Sequence, residues 1–272
     1  MIKEKTLNNI IVKPLVNADN VDITKIKGGS LFSEIYNVTY LCARRKSGKT
    51  SVLAEILKRT SDKKTTIWIF CPTHRLDPSW VQIIEMLENK GCQVNAFDSM
   101  MEGKTNLLDE IVTDLSTVDE PKKDAQQKII MPIKMLFDVP EEKKKKEYKP
   151  KKLAPENIFV FDDISNELKN PALLALCKKS RHFKASVYIS SQFIHDLLPQ
   201  TLKQLSYFIC FRSMTREKLE HIYKMLDLSV DLEKFYDLYD YATRDPYCFL
   251  YVDMKNQTYR KNFNKVLDLE DV

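Results

Sequence analysis

Eight residues, from Ala43 to Thr50, have the types and spacing needed to hold a phosphate group. They read Ala-Arg-Arg-Lys-Ser-Gly-Lys-Thr and follow an apolar run, Tyr36–Cys42, that predicts a β-strand. A loop between a strand and a helix can turn its backbone N–H groups toward a phosphate at the helix N-terminus. Gly48 would let the backbone approach that phosphate closely. The segment therefore predicts a phosphate-binding loop (P-loop) that leads directly into a helix.

Several residues of this loop have an expected role in binding ATP. Lys49 would neutralise the β- and γ-phosphates, and the Thr50 hydroxyl would ligate Mg²⁺. Ala43 stands where the usual pattern has a glycine. The side chains in the middle of the loop are expected to face solvent or a neighbouring subunit, because the cradle uses the backbone there. We expect the nucleotide to be bound by Ala43, Arg44, Arg45, Lys46, Ser47, Gly48, Lys49, Thr50 and Ser51.

An acidic pair, Asp162 and Asp163, follows the apolar run Ile158–Phe161. Burying a carboxylate at the end of a strand is costly unless it has a partner, and a Mg²⁺ ion beside the P-loop would be such a partner. Asp162 is expected to hold the metal, directly or through water, while Asp163 orients or deprotonates the attacking water. The alternative is that the pair only caps a helix.

Two more polar residues are candidates for the same site. Gln192 follows the predicted strand Ala185–Ser190, where its amide would touch both the attacking water and the γ-phosphate; the alternative is a surface glutamine. Charge developing on the transferred phosphoryl group also requires a cation from the side. Arg181 is the first choice for an arginine finger supplied by a neighbouring subunit, with Arg212 and Arg216 as second choices. A surface arginine is the alternative for each.

Strand-like and helix-like patterns alternate along the chain. This alternation predicts an α/β fold, a P-loop NTPase with a mostly parallel central sheet flanked by helices. Residues 1–30 are predicted to be an N-terminal extension of an ATPase domain over 31–272, with an insertion at about 99–155. The predicted strands are Tyr36–Cys42, Thr65–Phe70, Gln93–Phe97, Ile158–Phe161, Ala185–Ser190, Ser206–Phe211 and Tyr247–Asp253.

The positive charge of the chain is concentrated in one segment. The net charge is +5, but residues 143–152 carry seven lysines against one glutamate, so the remaining residues sum to −1. This argues against a protein that coats DNA uniformly. It permits a local contact with double-stranded DNA through Lys143, Lys144, Lys145 and Lys146. The alternative is a solvated loop.

Six scattered cysteines without C-x-x-C spacing predict buried, reduced thiols rather than a zinc site. No segment approaches the ~18 consecutive apolar residues that a membrane-spanning helix needs. The N-terminal residues lack an apolar signal core. We therefore expect a soluble protein, not secreted, without a membrane span.

Five motifs follow one another between residues 36 and 253. They are the P-loop, then Phe70-Cys71-Pro72-Thr73 with Asp77 and Trp80, then Phe161-Asp162-Asp163, then Arg181-His182, and finally Ser191-Gln192. This order resembles the genome-packaging ATPases of large nucleocytoplasmic DNA viruses, poxviruses included, and of their virophage and polinton-like relatives. Those proteins belong to the FtsK/HerA division of P-loop ATPases. Ala43 in place of glycine, and Asp163 where some relatives carry Glu, are departures from the pattern.

The resemblance implies an ATP-driven motor that pushes double-stranded DNA into a preformed capsid. It also implies a homo-oligomeric ring with the nucleotide between subunits, a capsid or portal vertex as partner, and a location at the virus assembly site in the host cytoplasm or in the virion. A nucleotide or small-molecule kinase is the main alternative, although a kinase has no need of Asp163 to activate water. A helicase-type ATPase and a non-enzymatic P-loop scaffold remain further alternatives.

Overall fold

Apolar segments rich in β-branched and aromatic residues form the centre of a nine-stranded sheet. The computed structural model describes residues 21–118 and 152–268. Along the sheet, the strands stand in the order β11-β10-β9-β8-β1-β7-β6-β2-β3, and the six from β8 to β3 are parallel. The strands are β1 (Val38–Cys42), β2 (Thr66–Phe70), β3 (Gln93–Phe97), β6 (Asn157–Asp162), β7 (Ala185–Ser191), β8 (Tyr207–Phe211), β9 (Phe249–Asp253), β10 (Thr258–Lys261) and β11 (Lys265–Leu267), while β4 (Met101–Glu102) and β5 (Thr105–Asn106) form a separate hairpin.

Helices cover both faces of this sheet. Apolar side chains of α1 and α2 pack on one face, and those of α3 to α7 pack on the other. Strand β1 is buried on both sides. Leu41 packs on the face covered by α1 and α2, and Tyr40 packs on the face covered by α3 to α7. The helices are α1 (Lys49–Thr60), α2 (Pro78–Asn89), α3 (Leu107–Val118), α4 (Pro171–Lys178), α5 (Pro199–Leu202), α6 (Arg216–Leu226) and α7 (Leu232–Thr243).

Polar side chains fix where several helices begin. The side chain of Asp77 accepts a hydrogen bond from the backbone N–H of Ser79, and Asn170 caps α4 in the same way. At the start of α6, the side chain of Thr215 accepts a hydrogen bond from the backbone N–H of Lys218. These bonds satisfy N–H groups that the first turn of a helix leaves without a partner.

The structure confirms all seven strands expected from the sequence, and no strand boundary differs from the expected one by more than two residues. Strands β10 and β11 extend the sheet beyond the last of them. Five of the six cysteines are buried free thiols, as expected, and Cys248 is partly exposed. Among the described helices, none combines the length and apolar character required to cross a bilayer.

Residues 25–27 lie against the segment that precedes β6. Ile26 is buried and forms a parallel β-bridge with Leu153, and the backbone N–H of Lys27 donates to the Leu153 carbonyl. Within the insertion, the structure describes the β4–β5 hairpin, α3 and the approach to β6. The lysine run that includes Lys143–Lys146 lies outside the described residues.

Candidate active site

The P-loop, the acidic pair and Gln192 converge at the carboxyl ends of three adjacent strands, β1, β6 and β7. In the sheet register, Cys42 is paired with Ser191, and Ser190 is paired with Asp162. The P-loop, Gln192 and Asp163 therefore leave neighbouring strands at the same edge. This edge is where open parallel sheets bind their ligands. Strand β7 lies between the P-loop strand β1 and the acidic strand β6.

The P-loop begins from a fixed point in the core. Ala43 is fully buried, and its backbone N–H donates a 3.0 Å hydrogen bond to the Ser191 carbonyl. The positive φ angles of the loop fall at Lys46 (62°) and Gly48 (93°). A residue with a Cβ therefore fits at position 43, which explains the departure from the usual glycine.

The middle of the loop carries three basic side chains. Arg44, Arg45 and Lys46 are all exposed, as expected for a cradle that uses its backbone. Gly48 then ends the loop in a left-handed conformation, and α1 begins at Lys49. The backbone thus turns from loop to helix where the sequence placed the phosphate cradle.

Lys49 connects the loop to the acidic pair. Its Nζ lies 3.1 Å from Oδ1 of Asp162 and also donates a short hydrogen bond to Oδ1 of Asp163. The side chains of Lys49 and Asp162 are 9% and 3% exposed, whereas Asp163 is 41% exposed. Burial disfavours the charged form of Lys49, but the two carboxylates outweigh this effect and raise the pKa of its ammonium group. The site thus holds one cation between two carboxylates of different exposure.

Trp80 orients the buried member of the acidic pair. Its indole Nε1 donates a 3.0 Å hydrogen bond to Oδ2 of Asp162, and the indole is fully buried. Trp80 belongs to the sequence motif that follows β2, but the sequence alone assigned it no function. The spacing between Asp77 and Trp80 is the sequence feature that could have indicated this role. Asp77 is the N-cap of α2, so the spacing makes Trp80 the third residue of the helix and fixes the direction of its side chain.

The residues at this edge suit a hard cation such as Mg²⁺. Oδ1 of Asp162 is buried and receives no hydrogen bond from the described residues, with Lys49 as its ion-pair partner. Thr50, in the first turn of α1, is partly exposed. Carboxylate and hydroxyl oxygens are the ligand types that Mg²⁺ prefers, usually together with water and substrate phosphate. No group of three His, Cys, Asp or Glu side chains arranged to hold a metal occurs within the described residues.

Gln192 follows directly after β7 on a loop that is held by a buried network. The Tyr40 hydroxyl lies 2.7 Å from the Ser191 hydroxyl and donates to the Phe193 carbonyl at 2.7 Å. The Ser191 hydroxyl also donates to the carboxylate of Asp196. Gln192 itself is partly buried. These bonds fix the backbone on both sides of Gln192 at the edge shared with Lys49.

Arg181 lies near the amino end of β7, at the edge of the sheet opposite the P-loop. It precedes β7, where it forms a 3.8 Å ion pair with Glu34 beside a cavity of about 680 Å³. Arg212 follows β8 and is exposed at the same edge as the P-loop. Arg216, at the start of α6, is paired with Asp240. Of the predicted site residues, the structure thus brings together the P-loop, the acidic pair and Gln192, but not Arg181.

Comparison with known proteins gives a likeness at the level of fold. No protein-family model matches the chain, and no curated protein matches it significantly. The chain is similar to the genome-packaging NTPase B204 of Sulfolobus turreted icosahedral virus 2 in complex with AMP, at a TM-score of 0.52 and 17% identity, covering 86% of this chain and 98% of that one. The complex of that NTPase with ATP-γS gives a TM-score of 0.50 and 17% identity, over 85% and 96% of the two chains.

B204 of Sulfolobus turreted icosahedral virus, described as a DNA-packaging ATPase, gives a TM-score of 0.52 at 16% identity over 86% of this chain and 98% of that one. At this level of identity the likeness shows a shared fold. The prediction of a P-loop NTPase fold with a mostly parallel sheet is thereby confirmed.

Proposed function

We propose that this chain hydrolyses ATP and uses the energy to move double-stranded DNA into a viral capsid. The observation that carries the proposal is the contact of Lys49 with Asp162 and Asp163 at the end of a P-loop. The fold shared with B204, described as a DNA-packaging ATPase, supports the packaging role. The narrower resemblance to large nucleocytoplasmic DNA viruses depends on the sequence motifs alone.

The P-loop and Asp162 would bind the nucleotide and its metal. Backbone N–H groups from Ala43 to Gly48 would surround the phosphates, and Lys49 would neutralise the β- and γ-phosphates. Thr50 and Asp162 would hold Mg²⁺, which when bound spreads the negative charge of the triphosphate. A triphosphate offers Lys49 an anionic partner in place of the carboxylates, which leaves Asp162 available to the metal.

Asp163 and Gln192 would act on the attacking water. Asp163 is the exposed member of the acidic pair, so solvent reaches its carboxylate while Asp162 stays buried. A carboxylate in this position can accept a proton from water or orient it for attack. Gln192 leaves the strand between β1 and β6, where its amide can contact both water and the γ-phosphate.

The coupling to DNA and the ring are further parts of the proposal. Lysines 143–146 would contact DNA phosphates without reading sequence, as a moving motor requires. Subunits would form a ring, with Arg181 of one subunit acting at the nucleotide of the next, and the ring would dock on a capsid or portal vertex. The exposure of Arg181 at the edge away from its own P-loop supports an action between subunits.

Phosphate release with and without duplex DNA tests the proposal. We expect hydrolysis of Mg·ATP without any acceptor, stimulated by duplex DNA, and abolished in Lys49→Ala. The thermal unfolding of that variant would show whether the fold survives. Substantial turnover by Lys49→Ala would contradict the assigned cradle, and hydrolysis only after addition of a phosphate acceptor would favour a kinase.

A further inference from the structure

An exposed tyrosine lies beside the P-loop in a strained backbone conformation. Tyr247 belongs to the loop between α7 and β9, and its side chain is largely exposed, with a relative exposure of 73%. Its φ is 62°, in the left-handed region that bulky side chains avoid. Such strain persists only where the surrounding structure imposes it, and it occurs most often at functional sites.

The loop that carries Tyr247 is anchored on both sides. Before it, Asp245 forms an ion pair with Lys261, whose side chain is buried, and the Asp245 carbonyl accepts from the backbone N–H of Cys248. After it, the backbone N–H of Phe249 donates a 3.1 Å hydrogen bond to Oδ1 of Asn262. The tyrosine ring is therefore presented to solvent from a backbone that is held in place.

The ring lies alongside the last residue of the phosphate cradle. A Cβ placed on Gly48 would stand 3.3 Å from Cδ1 and 3.9 Å from Cβ of Tyr247. Gly48 thus has two reasons to be glycine, its φ of 93° and the approach of this ring. The contact brings a large apolar surface to the mouth of the proposed nucleotide site.

The position of the ring relative to the acidic pair indicates which part of a nucleotide it would meet. In the sheet, β6 with Asp162 lies on one side of β1, and β8 and β9 lie on the other. The terminal phosphate belongs near Asp162 and Asp163, since those residues would serve the metal and the water. The opposite end of the nucleotide must then leave the P-loop away from the acidic pair. Tyr247 lies on that side, just before β9.

We propose that Tyr247 is a platform on which the base of the bound nucleoside triphosphate stacks. This inference rests on the proposed function and deepens it by assigning the base subsite. An aromatic ring offers each base a π-face to stack on, and such stacking tolerates different bases. The platform would therefore strengthen the binding of ATP and GTP alike without selecting between them.

Calorimetric titration of the full chain with Mg·ATP, Mg·GTP and inorganic triphosphate tests this role. We expect Tyr247→Ala to weaken ATP and GTP binding by about tenfold or more, within the range expected for one stacked base. Inorganic triphosphate has no base, so its affinity should not change. Tyr247→Phe keeps the ring and should bind all three probes as the unaltered chain does.

Three outcomes would overturn the assignment. Equal affinity of Tyr247→Ala and the unaltered chain for ATP would show that the ring does not contact the base. An equal loss for inorganic triphosphate would show that the ring only supports the P-loop. Absence of ATP binding by the unaltered chain would overturn the proposed function together with the platform, whereas the first two results would leave the proposed function standing.

Discussion

The indole N–H of Trp80 donates a 3.0 Å hydrogen bond to Oδ2 of Asp162, and both side chains are buried. Because this bond occupies one carboxylate oxygen, the other oxygen, Oδ1, is left on the side of Lys49. Asp77 caps α2 and thereby sets the direction of its third residue. The spacing between Asp77 and Trp80 is thus explained as a device that orients the proposed metal ligand.

Replacing Trp80 by phenylalanine should impair hydrolysis by loosening Asp162. A hydrogen bond to a charged group contributes about 1.5–3 kcal/mol, so we expect kcat to fall about tenfold or more. A positioning role also predicts that a higher Mg²⁺ concentration is needed for half-maximal activity. Steady-state kinetics across a Mg²⁺ titration measures both effects.

Trp68→Phe is the matched control for that substitution. Trp68 also donates through its indole N–H, but to Oδ1 of Asn157 at 3.3 Å, where β6 begins rather than where it ends. We expect this variant to keep the Mg²⁺ dependence of the unaltered chain. An unchanged Mg²⁺ dependence in Trp80→Phe, or an equal shift in both variants, would contradict the positioning role.

The sequence was sufficient to predict the sheet because most of its strands are buried on both faces. The run Ile158–Phe161 reads as a continuous apolar segment, and the acidic pair that ends it marks the edge of the sheet. Strands β10 and β11 could not be predicted in this way. They are short, and β10 mixes charged and aromatic residues, because it lies in the antiparallel part of the sheet near its end.

Contacts that depend on tertiary structure could not be predicted from the sequence. The bond from Trp80 to Asp162 joins residues 82 positions apart, on a helix and a strand whose packing no local pattern reveals. Tyr247 was read as the first residue of a strand, whereas β9 begins at Phe249 and Tyr247 lies in the preceding loop. Its approach to Gly48 depends on how that loop folds over the P-loop.

Asp163→Asn should bind ATP but hydrolyse it slowly. The amide keeps the shape of the side chain yet cannot accept a proton, and a general base contributes typically 10²–10⁴-fold to a rate. We therefore expect a loss of at least about 100-fold in kcat with ATP affinity retained. Rapid-quench measurement of a single turnover, alongside equilibrium ATP binding, separates the two effects.

Asp163→Glu is the informative companion variant. It restores a carboxylate that is longer by one methylene, so it can again accept a proton from water and should recover part of the rate. Normal turnover by Asp163→Asn would assign water activation to another residue. Loss of ATP binding in both variants would instead indicate that Asp163 matters through its contact with Lys49.

The lowered pKa of His221 predicts that the folded chain loses stability in mild acid. Its ring centroid lies 3.9 Å from that of His195, and burial, together with the charges of His195 and Lys224, lowers the pKa of His221. The unfolded chain, in which this histidine has its ordinary pKa of about 6.5, then binds the proton more readily than the folded chain. Stability should therefore be complete above about pH 6.5 and decrease as the pH falls below it.

Urea denaturation between about pH 8 and pH 5 measures this dependence. His221→Leu removes the titrating group and should flatten the profile in that interval. A cavity beside His221 is also lined by charged side chains, those of Glu217, Lys218 and Glu220. These side chains remain in both proteins, so their contribution cancels in the comparison. An identical pH profile for the two proteins would exclude His221 as the source of the acid sensitivity.

Arg181 should act on the nucleotide of a neighbouring subunit and not on its own. It precedes β7, whereas the P-loop and Gln192 lie where β7 and β1 end. A strand of this length separates the two edges by about 20 Å, which is farther than an arginine side chain extends. If Arg181 supplies the cation in trans, Arg181→Ala alone should lose about 10³-fold or more in kcat.

Mixing inactive subunits tests the direction of that contact. A subunit with Arg181→Ala keeps an intact P-loop, and a Lys49→Ala neighbour keeps an intact Arg181, so their interface contains one complete site. In a head-to-tail ring assembled at random from equal amounts, about a quarter of the interfaces would be complete. We therefore expect mixtures of the two inactive proteins to regain ATPase activity that neither has alone.

Lys184→Ala is the matched control for Arg181→Ala. It removes another cation that lines the cavity beside Arg181, and this variant should be active without mixing. No recovery at any ratio, with mixed rings verified by mass, would assign the side cation to another residue, with Arg212 next because it is exposed at the P-loop edge.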